Sequence, residues 1–228
     1  MEKTVLNLML AYVTRLGTRK KKSTVFFYGT NSMHTVWESA CKQIFGDMLG
    51  QEISDLDIVN IEYNELEVEQ QNKYNKKLID IIDKPIWSIL GTKNSFAKDT
   101  LIPDTVVIKR KNNTLCLNIY DAKYYHIKIT DDDINRQPGI ESVTKQYLYH
   151  KAYKQFMKDF NIEGINNIFL VPTDGETRKF ATVSLSLLHE MTGKDIEAAY
   201  LNADDVWKAY VDGIKDMDLD EMIYGHTK

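Results

Sequence analysis

The stretch PDTVVIKRKNNTLCLNIYDAK, residues 103–123, decides the fold of this chain. Residues 105–110 and 115–120 are two short runs rich in β-branched and apolar side chains. Between them lie Lys111, Asn112, Asn113 and Thr114. Two such runs joined by an Asn-rich turn predict an antiparallel β-hairpin. Further strands and helices around it predict an α/β fold with a mixed central sheet.

The ends of this hairpin carry charged side chains. If the turn centres on Asn112 and Asn113, Asp104 lies directly opposite Asp121. Directly opposed residues in an antiparallel pair have Cα atoms about 4.5–5.5 Å apart. Side chains two residues apart share a strand face, so Lys123 points the same way as Asp121. We therefore expect two carboxylates and one ammonium to meet on one face of the sheet.

Opposed carboxylates next to apolar strands are costly unless something compensates their charge. A divalent cation would do so, and hard oxygen ligands favour Mg²⁺, with Mn²⁺ as a substitute, over zinc. The main-chain carbonyl of Ala122 is a natural further ligand. Such a metal activates water and neutralises a phosphate, while Lys123 could orient or deprotonate the water or stabilise the phosphate. The arrangement predicts a metal-dependent phosphodiesterase.

The Asp-x-Lys pattern by itself is weak, since short motifs recur by chance. Asp121-Ala122-Lys123 is, however, the only Asp/Glu-x-Lys triplet in the sequence, and Pro103-Asp104 occupies its mirror position across the turn. The alternative interpretation is an exposed hairpin end with an ordinary ion pair.

Pro103-Asp104 followed by Asp121-Ala122-Lys123 resembles the metal site of the PD-(D/E)xK nuclease superfamily. The resemblance implies a restriction-endonuclease-like core with a central mixed β-sheet and an antiparallel hairpin flanked by helices, and Mg²⁺-dependent hydrolysis of DNA. It also implies a glutamate on a preceding helix, for which Glu38 is the best candidate and a further metal ligand. Gln146 suits the polar position on the helix after the hairpin, where it would hold water or phosphate. The alternatives are that Glu38 faces solvent beside a core tryptophan and that Gln146 is an ordinary surface glutamine.

More narrowly, the chain resembles LlaJI-type restriction endonucleases and the related McrC nuclease subunits. The resemblance covers residues 36–153 and includes Trp37-Glu38 and Lys145-Gln146-Tyr147 besides the two hairpin motifs. It implies a type II, or McrBC-like modification-dependent, restriction deoxyribonuclease acting on double-stranded DNA. McrC-like members also imply an AAA+ NTPase motor. The sequence has no Gly-x-x-x-x-Gly-Lys-Ser/Thr loop, so we expect any motor to be a separate chain.

The composition agrees only in part with DNA binding. The formal net charge is −4, so phosphate contacts must depend on local basic clusters. Three such clusters are visible, at residues 19–22, 73–77 and 109–111. The two cysteines, Cys41 and Cys116, lie far apart and have no metal-type spacing, so the sequence suggests neither a zinc site nor a disulfide framework, and we expect a cytoplasmic protein. The apolar run 5–13 is too short to span a membrane.

The remaining pattern predicts the order helices, hairpin, helix, strand, strand, helix. We expect residues 1–30 to form an N-terminal helical segment, whose abrupt start is what the end of a longer protein would show, and residues 31–228 to form the nuclease domain. Helices are predicted over 32–48, 140–160 and 204–211, with strands at 124–129, 167–171 and 182–187.

Two other functions stay open at this point. One is a non-catalytic DNA-binding or motor-bridging subunit with a nuclease-like fold. The other is a metal-dependent hydrolase of RNA or nucleotides. A homodimer is a further expectation, because cutting both strands of a duplex commonly demands two active sites.

Overall fold

The structure is a computed structural model that describes residues 32–58, 66–88, 90, 94–129 and 133–225. The predicted helical segment 1–30 lies outside these ranges. The α-helices within them are α1 (Met33–Ile44), α2 (Val68–Tyr74), α3 (Ile140–Asp159), α4 (Ser186–Thr192), α5 (Ala203–Asp212) and α6 (Leu219–Tyr224). The strands are β1 (Ile86–Trp87), β2 (Ser95–Phe96), β3 (Thr105–Lys111), β4 (Thr114–Ala122), β5 (Lys128–Ile129), β6 (Ile134–Asn135), β7 (Gly164–Thr173), β8 (Arg178–Val183) and β9 (Ile196–Asn202).

Five of these strands form the central sheet, in the order β3-β4-β7-β9-β8. Strands β4, β7 and β9 are parallel to one another, while β3 and β8 pair antiparallel at the two edges. The short pairs β1-β2 and β5-β6 lie outside this sheet. The prediction of a mixed sheet with an antiparallel hairpin and flanking helices is therefore confirmed.

The hairpin of β3 and β4 has the register that its turn predicts. Thr105 pairs with Tyr120 and Lys111 pairs with Thr114. Asn112 and Asn113 both have positive φ, 50° and 65°. Asparagine tolerates this left-handed conformation better than most residues, and a two-residue turn with two positive φ angles matches the twist of the strands. The turn therefore fixes which residues face each other along the whole hairpin.

Helices cover both faces of the sheet and bury its apolar side chains. On one face α3 packs Tyr153 and Phe156 against Leu117 and Ile119 of β4. On the other face, Trp37 and Ile44 of α1 and Val206 of α5 belong to one buried cluster. The strands contribute Tyr120 of β4 and Leu170 of β7 to the same cluster. Alternation along β4 thus assigns Ile119 and Asp121 to the α3 face and Tyr120 and Ala122 to the opposite face.

The structure corrects several predicted boundaries. Helix α1 ends at Ile44, and Gly46 then has a φ of 72°, which turns the chain away. Residues 124–127 do not continue a strand, because Tyr125 N–H donates to the Lys123 carbonyl and the chain turns out of the sheet. Instead of a strand over 182–187, β8 ends at Val183 and helix α4 begins at Ser186.

Pro172 does not stop its strand, since β7 continues to Thr173. The last pair between β7 and β4 is Leu170 with Ala122, whereas pairing with β9 extends to Thr173. Pro172 therefore lies where β4 no longer runs beside β7, so the missing N–H interrupts no ladder on that side.

None of the helices described in the structure combines the length and the apolar character needed to cross a bilayer. Both cysteines are free, and Cys41 is fully buried in the core beneath α1.

Candidate active site

The two predicted aspartates lie together where the β3-β4 ladder ends. Asp104 directly precedes Thr105 and Asp121 directly follows Tyr120, the terminal pair of the ladder. Asp104 Oδ2 accepts a hydrogen bond of 3.0 Å from the backbone N–H of Ala122. This hydrogen bond joins the Asp104 carboxylate, which precedes β3, to the end of β4 next to Asp121.

Lys123 joins this pair as the spacing predicts. Its ammonium nitrogen lies 2.6 Å from Asp121 Oδ2. Its own backbone N–H donates to the Leu170 carbonyl of β7 at 2.9 Å, which fixes the residue to the middle of the sheet. Asp121 is only 5% exposed, so this ion pair lies in a largely desolvated setting.

Glu38 approaches the same centre from helix α1. It is half-buried, and it lines a cavity together with Lys123. Burial raises the pKa of Glu38, and the nearby charge of Asp104 raises it further, while Lys123 lowers it. The helix therefore brings a third carboxyl within electrostatic reach of the hairpin end.

The electrostatics of the site show that its carboxylates compete. Burial raises the pKa of Asp121 to about 6, and the charge of Asp104 adds to this effect against the opposing influence of Lys123. Burial likewise raises the pKa of Asp104. Burial alone would lower the pKa of Lys123, but the Asp121 carboxylate outweighs it, so the pKa of the ammonium is raised. Lys123 is consequently protonated at neutral pH.

Gln146 is fully buried rather than a surface glutamine. Asn167 on β7 donates from Nδ2 to the main-chain oxygen of Gln146 at 2.8 Å and to its Oε1 at 3.0 Å. Gln146 Nε2 is buried and has no hydrogen-bond partner among the residues that the structure describes. Asn167 thus holds the Gln146 amide in place between α3 and β7. Within the described residues, no hydrogen bond joins this amide to Asp104 or Asp121.

Tyr149 on α3 is a residue of this centre that the sequence motifs did not single out. Its hydroxyl donates to the Ile102 carbonyl at 2.8 Å, two residues before Asp104. Burial raises the pKa of Tyr149, with further contributions from Asp121 and then Asp104. Its spacing of three from Gln146 places both on one helix face, a signal that could have found it.

Known proteins share sequence similarity with this chain. The LlaJI restriction endonuclease family matches residues 1–73 and 66–204. The chain belongs to this family. A component of the type II restriction enzyme BsuMI, YdjA from Bacillus subtilis (strain 168), is 26% identical over 193 residues. That match covers 84% of this chain but 35% of the relative, so the chain spans about a third of that protein's length. No solved structure matches significantly.

The donor set of this LlaJI-family chain fits a hard divalent cation. Asp121 Oδ2 is buried and, although close to the Lys123 ammonium, has no partner of hydrogen-bond geometry in the described part of the chain. Among the residues that the structure describes, no group of three or more His, Cys, Asp or Glu side chains is arranged to hold a metal ion. The Asp104 and Asp121 carboxylates are oxygen donors of the kind that Mg²⁺ prefers, and the Ala122 carbonyl and water would add further ligands.

Basic side chains of this LlaJI-family chain that could contact DNA phosphates are in part engaged in contacts within the protein. In the 109–111 cluster, Lys109 donates to the carbonyls of Asp216 and Met217. Arg110 donates to the carbonyl of Asp57, and Lys111 pairs with Asp220 at 2.8 Å. These side chains make internal contacts that bind α6 and a neighbouring loop to the hairpin.

In the 73–77 cluster, Lys73 forms an ion pair with Asp159. Residues 19–22, the third basic cluster, lie outside the described ranges.

Proposed function

We propose that this chain carries the Mg²⁺-dependent nuclease domain of a restriction system and hydrolyses phosphodiester bonds in double-stranded DNA through a PD-(D/E)xK-type site. The observation that carries the proposal is the meeting of Asp104, Asp121 and Lys123 at the end of one hairpin. Membership of the LlaJI family and likeness to a protein named as a type II restriction enzyme component support restriction as the setting.

In this proposal Asp104, Asp121 and the Ala122 carbonyl would hold the metal, with Glu38 as an outer carboxylate. The metal would supply a water of lowered pKa and positive charge at the scissile phosphate. Lys123 is an ammonium in this electrostatic setting. It would orient or deprotonate the attacking water, or donate to a phosphate oxygen and stabilise the charge that builds up there.

Tyr149 and Gln146 support the site from α3. The hydrogen bond from Tyr149 to the Ile102 carbonyl holds the segment that leads into Asp104. The buried Nε2 of Gln146 retains a donor for the attacking water or for phosphate, the role proposed for this residue. Groups behind a metal site of this kind commonly change activity by about 10- to 100-fold when removed.

The test of the proposal is cleavage by the purified chain with Mg²⁺, with Mn²⁺ and with EDTA. We expect plasmid DNA to be nicked or cut with either metal and to stay intact with EDTA, while RNA and free nucleotides are poor substrates. Preference for RNA or nucleotides would favour the alternative hydrolase.

A parallel assay adds a candidate AAA+ motor or a partner subunit of the restriction system. A relative named as an enzyme component makes such a partner a reasonable requirement. Tight DNA binding without cleavage, both alone and with that partner, would favour a non-catalytic DNA-binding or motor-bridging subunit. Cleavage whose rate rises with the square of enzyme concentration at low concentration would support a homodimer.

Gln146→Leu tests the role of the buried amide. We expect cleavage to fall by about 10- to 100-fold. The free energy of unfolding should fall by about 1–3 kcal/mol, because leucine removes the Oε1 that accepts a hydrogen bond from buried Asn167, although it also removes the unpaired Nε2. Thermal unfolding and single-turnover cleavage measure the two quantities. Gln155→Leu, at an exposed position of the same helix, is the control. Unchanged cleavage by Gln146→Leu would contradict a role in the reaction.

A further inference from the structure

A cavity of about 360 Å³ opens beside Lys123, between helix α1 and the turn that follows β4. The N-terminal half of α1 forms one wall, with His34 and Glu38, and residues 122–125 form the other. Its volume lies at the lower end of the roughly 300–1,000 Å³ of small-ligand sites. A volume of this order has room for about one nucleotide.

Tyr124 gives this cavity a fixed aromatic wall. Its ring centroid lies 6.3 Å from that of Trp37, with the planes tilted by 55°. Trp37 is fully buried, donates from Nε1 to the Leu170 carbonyl at 3.2 Å, and packs edge-on against Trp207. The inner side of Tyr124 is thus supported by immobile groups, yet 41% of its surface remains exposed.

The turn after β4 presents two tyrosines rather than one. Tyr125 is 39% exposed, and its N–H donates to the Lys123 carbonyl at 3.0 Å. This tight turn places both tyrosines in the wall of the cavity that Lys123 also lines. An ammonium beside exposed aromatic rings is the combination that binds a phosphate together with its base, since every base has a face on which a ring can stack.

We propose that this cavity receives the nucleotide adjoining the scissile phosphate, with its base unstacked from the duplex and packed on Tyr124. The inference rests on the proposed function, because it takes the phosphate at Lys123 to be the one that is cut. An unstacked base explains why a site for duplex DNA has room for a single nucleotide. Tyr124 is then a substrate-binding residue.

The experiment compares binding of two single-stranded probes in EDTA at fixed salt, so that neither cleavage nor a recognition sequence matters. One probe is a short mixed-sequence oligonucleotide, and the other is an abasic deoxyribose-phosphate strand of equal length. Stacking of one base on an aromatic ring is worth about 1–3 kcal/mol, so the wild type should prefer the base-bearing probe by about tenfold. Tyr124→Phe should keep that preference, and Tyr124→Leu should lose it.

Tyr224→Leu is the matched control, because Tyr224 is an exposed tyrosine on α6. It should leave the preference unchanged, and thermal unfolding should show that each variant is folded. If the wild type binds both probes equally, or if Tyr124→Leu keeps the preference, the inference is overturned while Mg²⁺-dependent cleavage still stands. Conversely, a Tyr124-dependent preference in a chain that never cleaves DNA would overturn the proposed function and leave the binding site in place.

Discussion

Replacing Asp104, Asp121 or Lys123 by alanine is expected to lower Mg²⁺-dependent DNA cleavage by about 10³-fold or more. Each change removes a charged group from the centre of the site. Lys123 lies 2.6 Å from Asp121, and Asp104 accepts a hydrogen bond from the Ala122 N–H. Loss of about 4 kcal/mol of transition-state stabilisation corresponds to this factor, at 1.36 kcal/mol for each tenfold change. Single-turnover cleavage of plasmid DNA measures it.

Asp174→Ala is the control, because Asp174 is an exposed aspartate between β7 and β8. It should cleave at the wild-type rate. Glu38→Gln should give an intermediate loss, as expected of a half-buried carboxyl that acts on the site from α1. If the three alanine variants all cut DNA as fast as the wild type, the active site lies elsewhere in the chain.

Asp121→Asn is expected to abolish cleavage and at the same time to stabilise the fold in EDTA. Burial and the charge of Asp104 raise the pKa of Asp121 from 3.8 to about 6, so the ionised carboxylate opposes folding at neutral pH. Each pKa unit corresponds to 1.36 kcal/mol, which gives a gain of up to about 3 kcal/mol. For a domain of this size the unfolding temperature should rise by up to about 6–12 °C.

The pH dependence of this gain in stability tests whether it comes from the raised pKa of Asp121. The folded state holds the Asp121 proton more tightly than the unfolded state, so the carboxyl weakens the fold as pH rises from 3.8 through about 6. The advantage of Asp121→Asn should therefore be complete at pH 7–8 and vanish below about pH 4. Differential scanning calorimetry in EDTA at several pH values tests this. Asp174→Asn should show no shift, and an Asp121→Asn protein less stable than the wild type at pH 8 would contradict the account.

A rise in stability with a loss of activity would mean that the hairpin end keeps charges which folding does not favour. Functional sites are where proteins commonly retain such costly groups. Here the cost is local, because it arises from the burial of Asp121 and its repulsion by Asp104, while the strands of the hairpin are paired from Thr105 to Tyr120. A cation bound between the carboxylates would remove it.

The fold and the site differ in how far they follow from local sequence. The hairpin register follows from its own residues, because a symmetric turn at Asn112-Asn113 and strict alternation leave one pairing that buries the apolar face. Helix α3 follows from the spacing of its aromatic residues, and it begins at Ile140 as predicted. Strand β9 escaped prediction, since Ala198 and Ala199 weaken its apolar pattern. Its burial between β7 and β8 comes from tertiary packing.

The sequence by itself determined that Asp104, Asp121 and Lys123 would meet, because hairpin geometry is a local property of some twenty residues. Only the tertiary structure decided that Glu38 approaches them from α1, that Gln146 is buried against Asn167, and that Tyr124 rests on Trp37. Trp37, on which Tyr124 rests, is itself bound to Leu170, which lies 133 residues further along the chain. Such partners are selected by how helices fit onto the assembled sheet, and no local pattern encodes that fit.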